Sequence, residues 1–319
     1  MFGRLIPQGE SLSALPKQPT PPPLPTPAAQ RGGAAAIEEL IEKFAPRAAL
    51  FALDDVILPE DTSREVAALI GKIAHRDILF NEWGLSRLER SGNRLAFNLY
   101  GPPGTGKTML AEALAGRFGK NVIEVSYAEI ESKYVGDTPK NIAAAFRSAA
   151  KHDAALFFDE ADSILGRRMT NVTQAADHGV NVSRAVMLKQ LDAFQGIVMF
   201  ATNLARNFDS AFVRRIPYHI SLGPPDLDGR ERLWRKLVPP EMPGAEDLDH
   251  AELARESDGL VGGDLRNALM LAAAAAVVRE GPVRRVVLAD MTQAIAACRR
   301  SKRDVGESTH FDGVTRLLP

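Results

Sequence analysis

The run Gly101-Pro102-Pro103-Gly104-Thr105-Gly106-Lys107-Thr108 has the spacing of a glycine-rich phosphate-binding loop, G-x-x-x-x-G-K-[ST]. Small residues let successive backbone N–H groups curl around phosphate oxygens, and a helix starting at the end of the loop turns its positive dipole end toward them. Lys107 would neutralise the β and γ phosphates of a nucleoside triphosphate such as ATP, and the Thr108 hydroxyl would hold its Mg2+ ion. Further along, the apolar run Ala155-Leu156-Phe157-Phe158 stops abruptly at Asp159-Glu160. Acids at the carboxyl end of a buried strand lie where ligands of open α/β sheets bind. Asp159 would complete the magnesium shell, and Glu160 would orient and deprotonate an attacking water, the positioning that phosphoryl transfer requires.

Such groups need a scaffold, and the flanking sequence supplies one. Leu95–Tyr100 reads as a buried strand, and Met109–Phe118 as a helix with Leu110, Ala113, Leu114 and Phe118 on one stripe. Further apolar strands are expected at Val122–Val125, Ala155–Phe158, Ile197–Ala201 and Tyr218–Leu222, alternating with helical stretches, which implies a parallel sheet covered on both faces. After Gly223-Pro224-Pro225 the signals become helical: Asp228–Leu237, Asp249–Glu256, Gly263–Arg279 and Ala289–Arg300. In the third of these Leu265, Ala268, Leu269, Ala272 and Ala276 form one narrow apolar face. The expected fold class is therefore α/β, a five-stranded parallel sheet sandwiched by helices over residues 50–222, followed by a small helical lid over 223–305. Eight of the 21 prolines fall within the first 27 residues, so residues 1–33 read as an extended tail. Residues 34–49 read as a short helix, Ala34–Phe44, and a linker, with no room for a folded N-terminal substrate domain; residues 306–319 read as a C-terminal tail.

Composition narrows the function. A formal charge of −1, from 39 basic and 40 acidic groups, provides no global field toward nucleic acid or anionic lipid. The basic clusters Arg284-Arg285, Arg299-Arg300 and Lys302-Arg303 read as solvated helix faces. Cys298 is the only cysteine, which excludes an intrachain disulfide and a cysteine-based zinc site and fits a reducing, cytoplasmic setting. The longest apolar run, Ala268–Val278, is far shorter than a bilayer span, and the six histidines show no metal-ligand spacing.

Two further segments carry a resemblance. Ile197-Val198-Met199-Phe200-Ala201-Thr202-Asn203 is an apolar strand ending in a polar residue, and Asp209-Ser210-Ala211-Phe212-Val213 leads into Arg214-Arg215. Together with the phosphate loop, the acidic pair and the helical lid, this order resembles the AAA+ ATPases over roughly residues 50–300. The resemblance implies a homo-oligomeric ring, commonly a hexamer, with ATP bound between neighbours. Asn203 then matches the first sensor, which helps place the attacking water. Arg214 and Arg215 match the arginine-finger region, whose guanidinium reaches the next subunit's γ-phosphate, with Arg215 favoured of the two; Tyr218 stands where many relatives carry a second finger. Met109 joins the nucleotide-binding residues, and in Gly259-Leu260-Val261-Gly262-Gly263-Asp264-Leu265-Arg266 the small Gly263 matches the second-sensor position. Arg266, one turn further, either contacts nucleotide or packs across an interface.

Lys133-Tyr134-Val135-Gly136-Asp137 resembles the aromatic pore loop of AAA+ proteins that grip polypeptide, an aromatic ring being a large, sequence-tolerant contact. Arg167–Asn181, long and polar, matches a second channel-facing loop. The resemblance thus implies an ATP-driven remodeller of protein substrates. Phe212-Val213, Ile220-Ser221-Leu222-Gly223-Pro224-Pro225 and residues 259–266 are also similar to pachytene-checkpoint-type ATPases, which open HORMA-domain proteins and whose bacterial relatives accompany anti-phage defence systems. Katanin-like and cell-division-cycle-type ATPases share most of these residues. The alternatives are a general unfoldase, a DNA-associated ATPase of the helicase or clamp-loader type, and a nucleotide-dependent scaffold; the paired Asp159-Glu160 argues against the last.

Overall fold

The computed structural model describes residues 38–75, 77–87, 95–131, 137–166, 175–203 and 208–305. The compact unit beginning at Leu40 contains the sheet and all the helices named below. Strands β1 (Leu95–Tyr100), β2 (Val122–Ser126), β3 (Ala155–Asp159), β4 (Ile197–Thr202) and β5 (Tyr218–Ser221) pair in parallel in the order β2-β3-β4-β1-β5. The sequence reads as continuous apolar runs because successive residues serve opposite, equally buried faces. Ala96, Phe158 and Phe200 face one layer, packed with Ile142 and Phe146 of helix α3 (Asp137–Lys151) and Met187 and Leu191 of helix α4 (Ala175–Ala193). Phe97, Phe157 and Met199 face the other, packed with Val66 and Leu69 of helix α1 (Glu60–Ala74) and Leu110 and Leu114 of helix α2 (Lys107–Arg117). Phe158 stacks on Phe200 with ring centroids 5.4 Å apart, a contact worth about 1 kcal/mol beyond its buried area.

The core begins upstream of Leu50. Ile41 and Phe44 are buried against the α3 and α4 layer. Arg47 forms an antiparallel bridge to Val122 on β2, an outer strand of the sheet, exchanging two backbone hydrogen bonds of 2.8 Å. The Arg47 guanidinium holds both oxygens of Glu112 on α2, at 3.0 and 2.8 Å, and also pairs with Glu124 on β2. Glu112 is buried and accepts the Leu50 N–H as well, at 2.9 Å. The Arg47 hydrogen bonds hold the Glu112 carboxyl below the usual carboxylate range.

Helices α5 (Leu227–Leu237), α6 (His250–Glu256), α7 (Gly262–Val277) and α8 (Leu288–Val305) close around a separate core that includes Trp234, Leu253, Leu265, Leu269, Met291 and Ile295. Asp226 caps α5 by accepting the Gly229 N–H at 2.7 Å, and Asp249 caps α6. Trp234 donates its indole N–H to the buried Ser257 hydroxyl at 3.0 Å, so the largest buried ring of this core leaves no polar atom unpaired.

The polar stretch expected to form a second channel loop is helical in its later part: α4 starts at Ala175, while residues 167–174 lie outside the described residues. Buried Met187, Leu188 and Leu191 lie further along the same helix, so packing of its C-terminal half carries the polar first turns into the helix. The pore-loop residues Lys133, Tyr134 and Val135 also lie outside the described residues, as do both tails and residues 34–37.

Candidate active site

The strand order places the ends of β3, β4 and β1 side by side, and each delivers one part of the site to the carboxyl edge of the sheet. After β1 the chain enters the glycine-rich loop. Gly101 has φ 152° and lies so close to β5 that a Cβ there would overlap the Leu222 carbonyl oxygen, so only glycine fits. Gly106 takes a left-handed conformation and caps α2, whose first turn carries Lys107 and Thr108. Helix α2 therefore starts earlier than its apolar stripe predicts, because its first residues face the cavity instead of the core.

Lys107 is 8% exposed, and its ammonium group donates to the Gly101 carbonyl, the Pro102 carbonyl and Asn203 Oδ1, each at 2.9 Å. Burial lowers its pKa, opposed by the charges of Asp159 and Asp162. Thr108 donates its hydroxyl to Asp159 Oδ2 at 3.0 Å. Glu160, next along, is exposed, has a left-handed backbone with φ 51°, and donates its N–H to Asp159 Oδ1 at 2.8 Å. A non-glycine residue held there costs about 1 kcal/mol, and the bend turns the chain at the strand end, leaving the second acid exposed beside the first. Asn203 follows β4, and its N–H donates to Asp162 Oδ2 at 3.3 Å. Phosphate loop, acidic pair and Asn203 thus meet in one constellation.

The cavity around them, about 610 Å³, is closed on its other side by two walls without an assigned role in the sequence analysis and by the expected second-sensor segment. Val56, Ile57, Leu58 and Pro59 form one wall, and Leu233, Lys236 and Leu237 of α5 another, with Gly263 and Arg266 from the start of α7. The short apolar run 56–59 before α1 was the available signal for the first wall. At Gly263 the lid touches the phosphate loop directly: its N–H donates to the Gly104 carbonyl at 3.0 Å, and a Cβ at 263 would meet Gly104 Cα at 3.2 Å. Arg266 is exposed at the cavity and has no hydrogen-bond or ion-pair partner among the described residues.

The arginine pair does not enter this cavity. Both residues follow the short helix Ser210–Val213, and they differ in engagement. Arg215 is bonded to Asp192 on α4 and to the Ala211 carbonyl. Arg214 is exposed and, among the described residues, has no partner.

A glycine-rich loop cradling a buried lysine, a strand-end acid bonded to the loop threonine and a helical lid together define a P-loop nucleoside-triphosphatase fold. Residues 97–224 match the family described as "ATPase family associated with various cellular activities (AAA)", and the chain carries an AAA ATPase domain. Spastin of Anopheles gambiae is 36% identical over 227 residues, 69% of this chain and 26% of that one. Katanin p60 ATPase-containing subunit A1 of Strongylocentrotus purpuratus is 36% identical over 181 residues, 53% of this chain and 34% of that one. The 26S proteasome regulatory subunit 10B of Dictyostelium discoideum is 32% identical over 216 residues, 66% of this chain and 54% of that one. The matched stretch thus spans only part of each relative's length.

No helix among the described residues is long and apolar enough to cross a membrane.

Proposed function

We propose that this chain binds and hydrolyses ATP in the cavity between sheet and lid, and that it works as a homo-oligomeric ring, a hexamer, that remodels protein substrates in the cytoplasm. The observation carrying the reading is the meeting of Lys107, Thr108, Asp159, Glu160 and Asn203 at three adjacent strand ends. Lys107 exchanges part of its carbonyl and amide bonding for phosphate oxygens. Thr108 and Asp159, whose oxygens sit 3.0 Å apart beside the loop, would hold a magnesium ion, which takes hard oxygen donors of this kind. That ion supplies charge neutralisation on the phosphates. Glu160 holds the attacking water and takes its proton, Asn203 fixes that water's position, and an arginine of the Arg214-Arg215 pair reaches a neighbour's γ-phosphate.

Protein is favoured over nucleic acid as the substrate. Three members of the basic clusters on the lid are engaged within the chain: Arg285 with Glu246 and Asp247, Arg299 with the Glu256 and Asp258 carbonyls, Lys302 with Asp264. A relative named as a proteasome regulatory subunit supports the same choice. Tyr134, flanked by Lys133 and Val135, is the proposed grip, and a HORMA-domain protein in a bacterial defence setting the proposed substrate, on the residue likenesses given above.

ATP turnover per chain, followed against protein concentration, tests the reading. Turnover should rise as the chain assembles, vanish in Lys107→Ala, and increase when a HORMA-domain protein is added. A monomer with the same turnover per chain at every concentration would overturn the shared-site ring. Stimulation by DNA at low salt in place of protein would move the function to the nucleic-acid class.

A further inference from the structure

Among the described residues, polar contacts join the lid to the sheet domain across the cavity at two places. One is the Gly263–Gly104 backbone hydrogen bond beside the phosphate loop. The other is ionic and lies on a separate part of the cavity wall: Lys236, in the last turn of α5, donates to Asp55 Oδ1 at 2.8 Å and to the Asp54 carbonyl at 3.0 Å. Each end of this second contact is fixed to its own body. Lys236 follows Trp234, buried in the lid core, and is flanked by Leu237, which packs against that core. The turn Leu53–Asp55 is held by Leu53 and Val56 against the sheet, and by Asp55 Oδ2, which accepts the Ala52 N–H at 2.9 Å. The Asp55 carboxylate therefore uses one oxygen to hold its own turn and the other to hold the lid.

We propose that Lys236 and Asp55 form a salt-sensitive latch that keeps the lid over the nucleotide cavity and sets how fast nucleotide leaves. The inference rests on the ATP-binding reading above and adds to it two positioning residues that act on the lid and not on the reacting atoms. Both side chains are about two-fifths exposed, 43% and 40%. An exposed pair of this kind is modest in strength and weakened by salt. It suits a latch that must open in every cycle, where a buried ion pair would hold the lid too long. The hydrogen bond from Lys236 keeps the Asp55 carboxyl below its ordinary range.

The test is the release of ADP labelled on its ribose with a fluorescent anthraniloyl group, chased with excess unlabelled ATP, in the full chain. At low salt Lys236→Met and Asp55→Asn should each release ADP about two- to fivefold faster than the unaltered chain, with association unchanged. The double variant should be no faster than either single one, and Lys236→Arg should restore slow release. High salt should speed the unaltered chain and leave Lys236→Met where it was. The nucleotide-free thermal midpoint, which surface substitutions barely move, separates this effect from loss of folding. If the unaltered chain binds the labelled ADP but Lys236→Met releases it at the same rate or more slowly, the latch is wrong and ATP binding stands. If the unaltered chain binds no better than Lys107→Ala, the ATP reading itself fails.

Discussion

Arg215 clamps Asp192 in a fork: its Nε lies 2.9 and 3.0 Å from the two carboxylate oxygens and its Nη2 lies 2.8 Å from one of them. Arg214, one residue earlier, makes no such bond among the described residues. The pair thus divides into an arginine that fastens the end of the short helix to α4 and one that points its charge outward. Sequence alone favoured Arg215 as the group donated to a neighbour; the ion pair with Asp192 supports giving that role to Arg214.

Arg214→Ala should therefore lower ATP turnover of the assembled protein by about 10³-fold, the order expected for loss of an arginine that stabilises transferred phosphate, with no change in thermal midpoint. Arg215→Ala should cost about 1 kcal/mol of stability, since the pair is partly exposed, and should affect turnover less. Mixed rings of Arg214→Ala and Lys107→Ala chains should recover part of the lost hydrolysis; absence of any recovery in rings shown to be mixed would count against donation between neighbours.

Glu160→Gln should retain ATP and lose hydrolysis by about 10³-fold, because the amide cannot take a proton from water while the phosphate contacts of the loop remain. Filter binding of ATP alongside single-turnover ADP formation reads both quantities. Unchanged turnover would remove Glu160 from the chemistry.

Gly263→Val should weaken ATP and ADP binding about fivefold or more, from about 1 kcal/mol of forced separation between lid and loop. The reason is the neighbour: the nearest atom to an added Cβ is backbone, Gly104 Cα at 3.2 Å, which cannot swing aside as a side chain would. Calorimetric titration checks this, and full affinity in the variant would show that the lid does not close against the loop.

Arg47→Ala should destabilise the fold by about 1–3 kcal/mol, because it strands the buried Glu112 carboxylate. The acid dependence has a definite sign. The Glu112 pKa is depressed in the folded chain, so its contribution is present above the ordinary glutamate range and disappears as pH falls through the lower, folded value. Urea midpoints measured from neutral pH downward should converge for Arg47→Ala and the unaltered chain at low pH. A constant difference down to the acid limit would mean that the salt bridge is not the source.

How much was legible followed the range of the signal. The strands are contiguous apolar runs, and those expected match β1 to β5 to within a residue at each end. All four lid helices fall where expected, with α7 announced by Leu265, Ala268, Leu269 and Ala272, but α7 ends two residues before the expected Arg279 and α8 runs five residues past the expected Arg300. What stayed hidden is carried by pairs far apart in sequence: Arg47 with Glu112, Asp192 with Arg215, Lys236 with Asp55, Gly104 with Gly263. No local pattern marks any of these pairings, because nothing in the sequence around one partner points to the other. The start of helix α4 was read as a polar loop for a related reason: its first turns contain Gly179 and polar residues, and the contacts that hold the helix, buried Met187 and Leu191 and the Arg184 bonds to the Ser163 and Ile164 carbonyls, lie further on.

The single antiparallel bridge from Arg47 to Val122 has a practical consequence for anyone shortening the chain. Val122 opens β2, an outer strand of the sheet, and Arg47 occupies hydrogen-bonding groups that face away from β3. A recombinant fragment starting at Leu50 would leave those groups bare, a template on which a second molecule could lay down its own strand. Precipitation of that fragment under conditions where a fragment starting at Leu40 stays clear would trace to the lost segment, the bridge together with buried Ile41 and Phe44 and the Arg47–Glu112 pair.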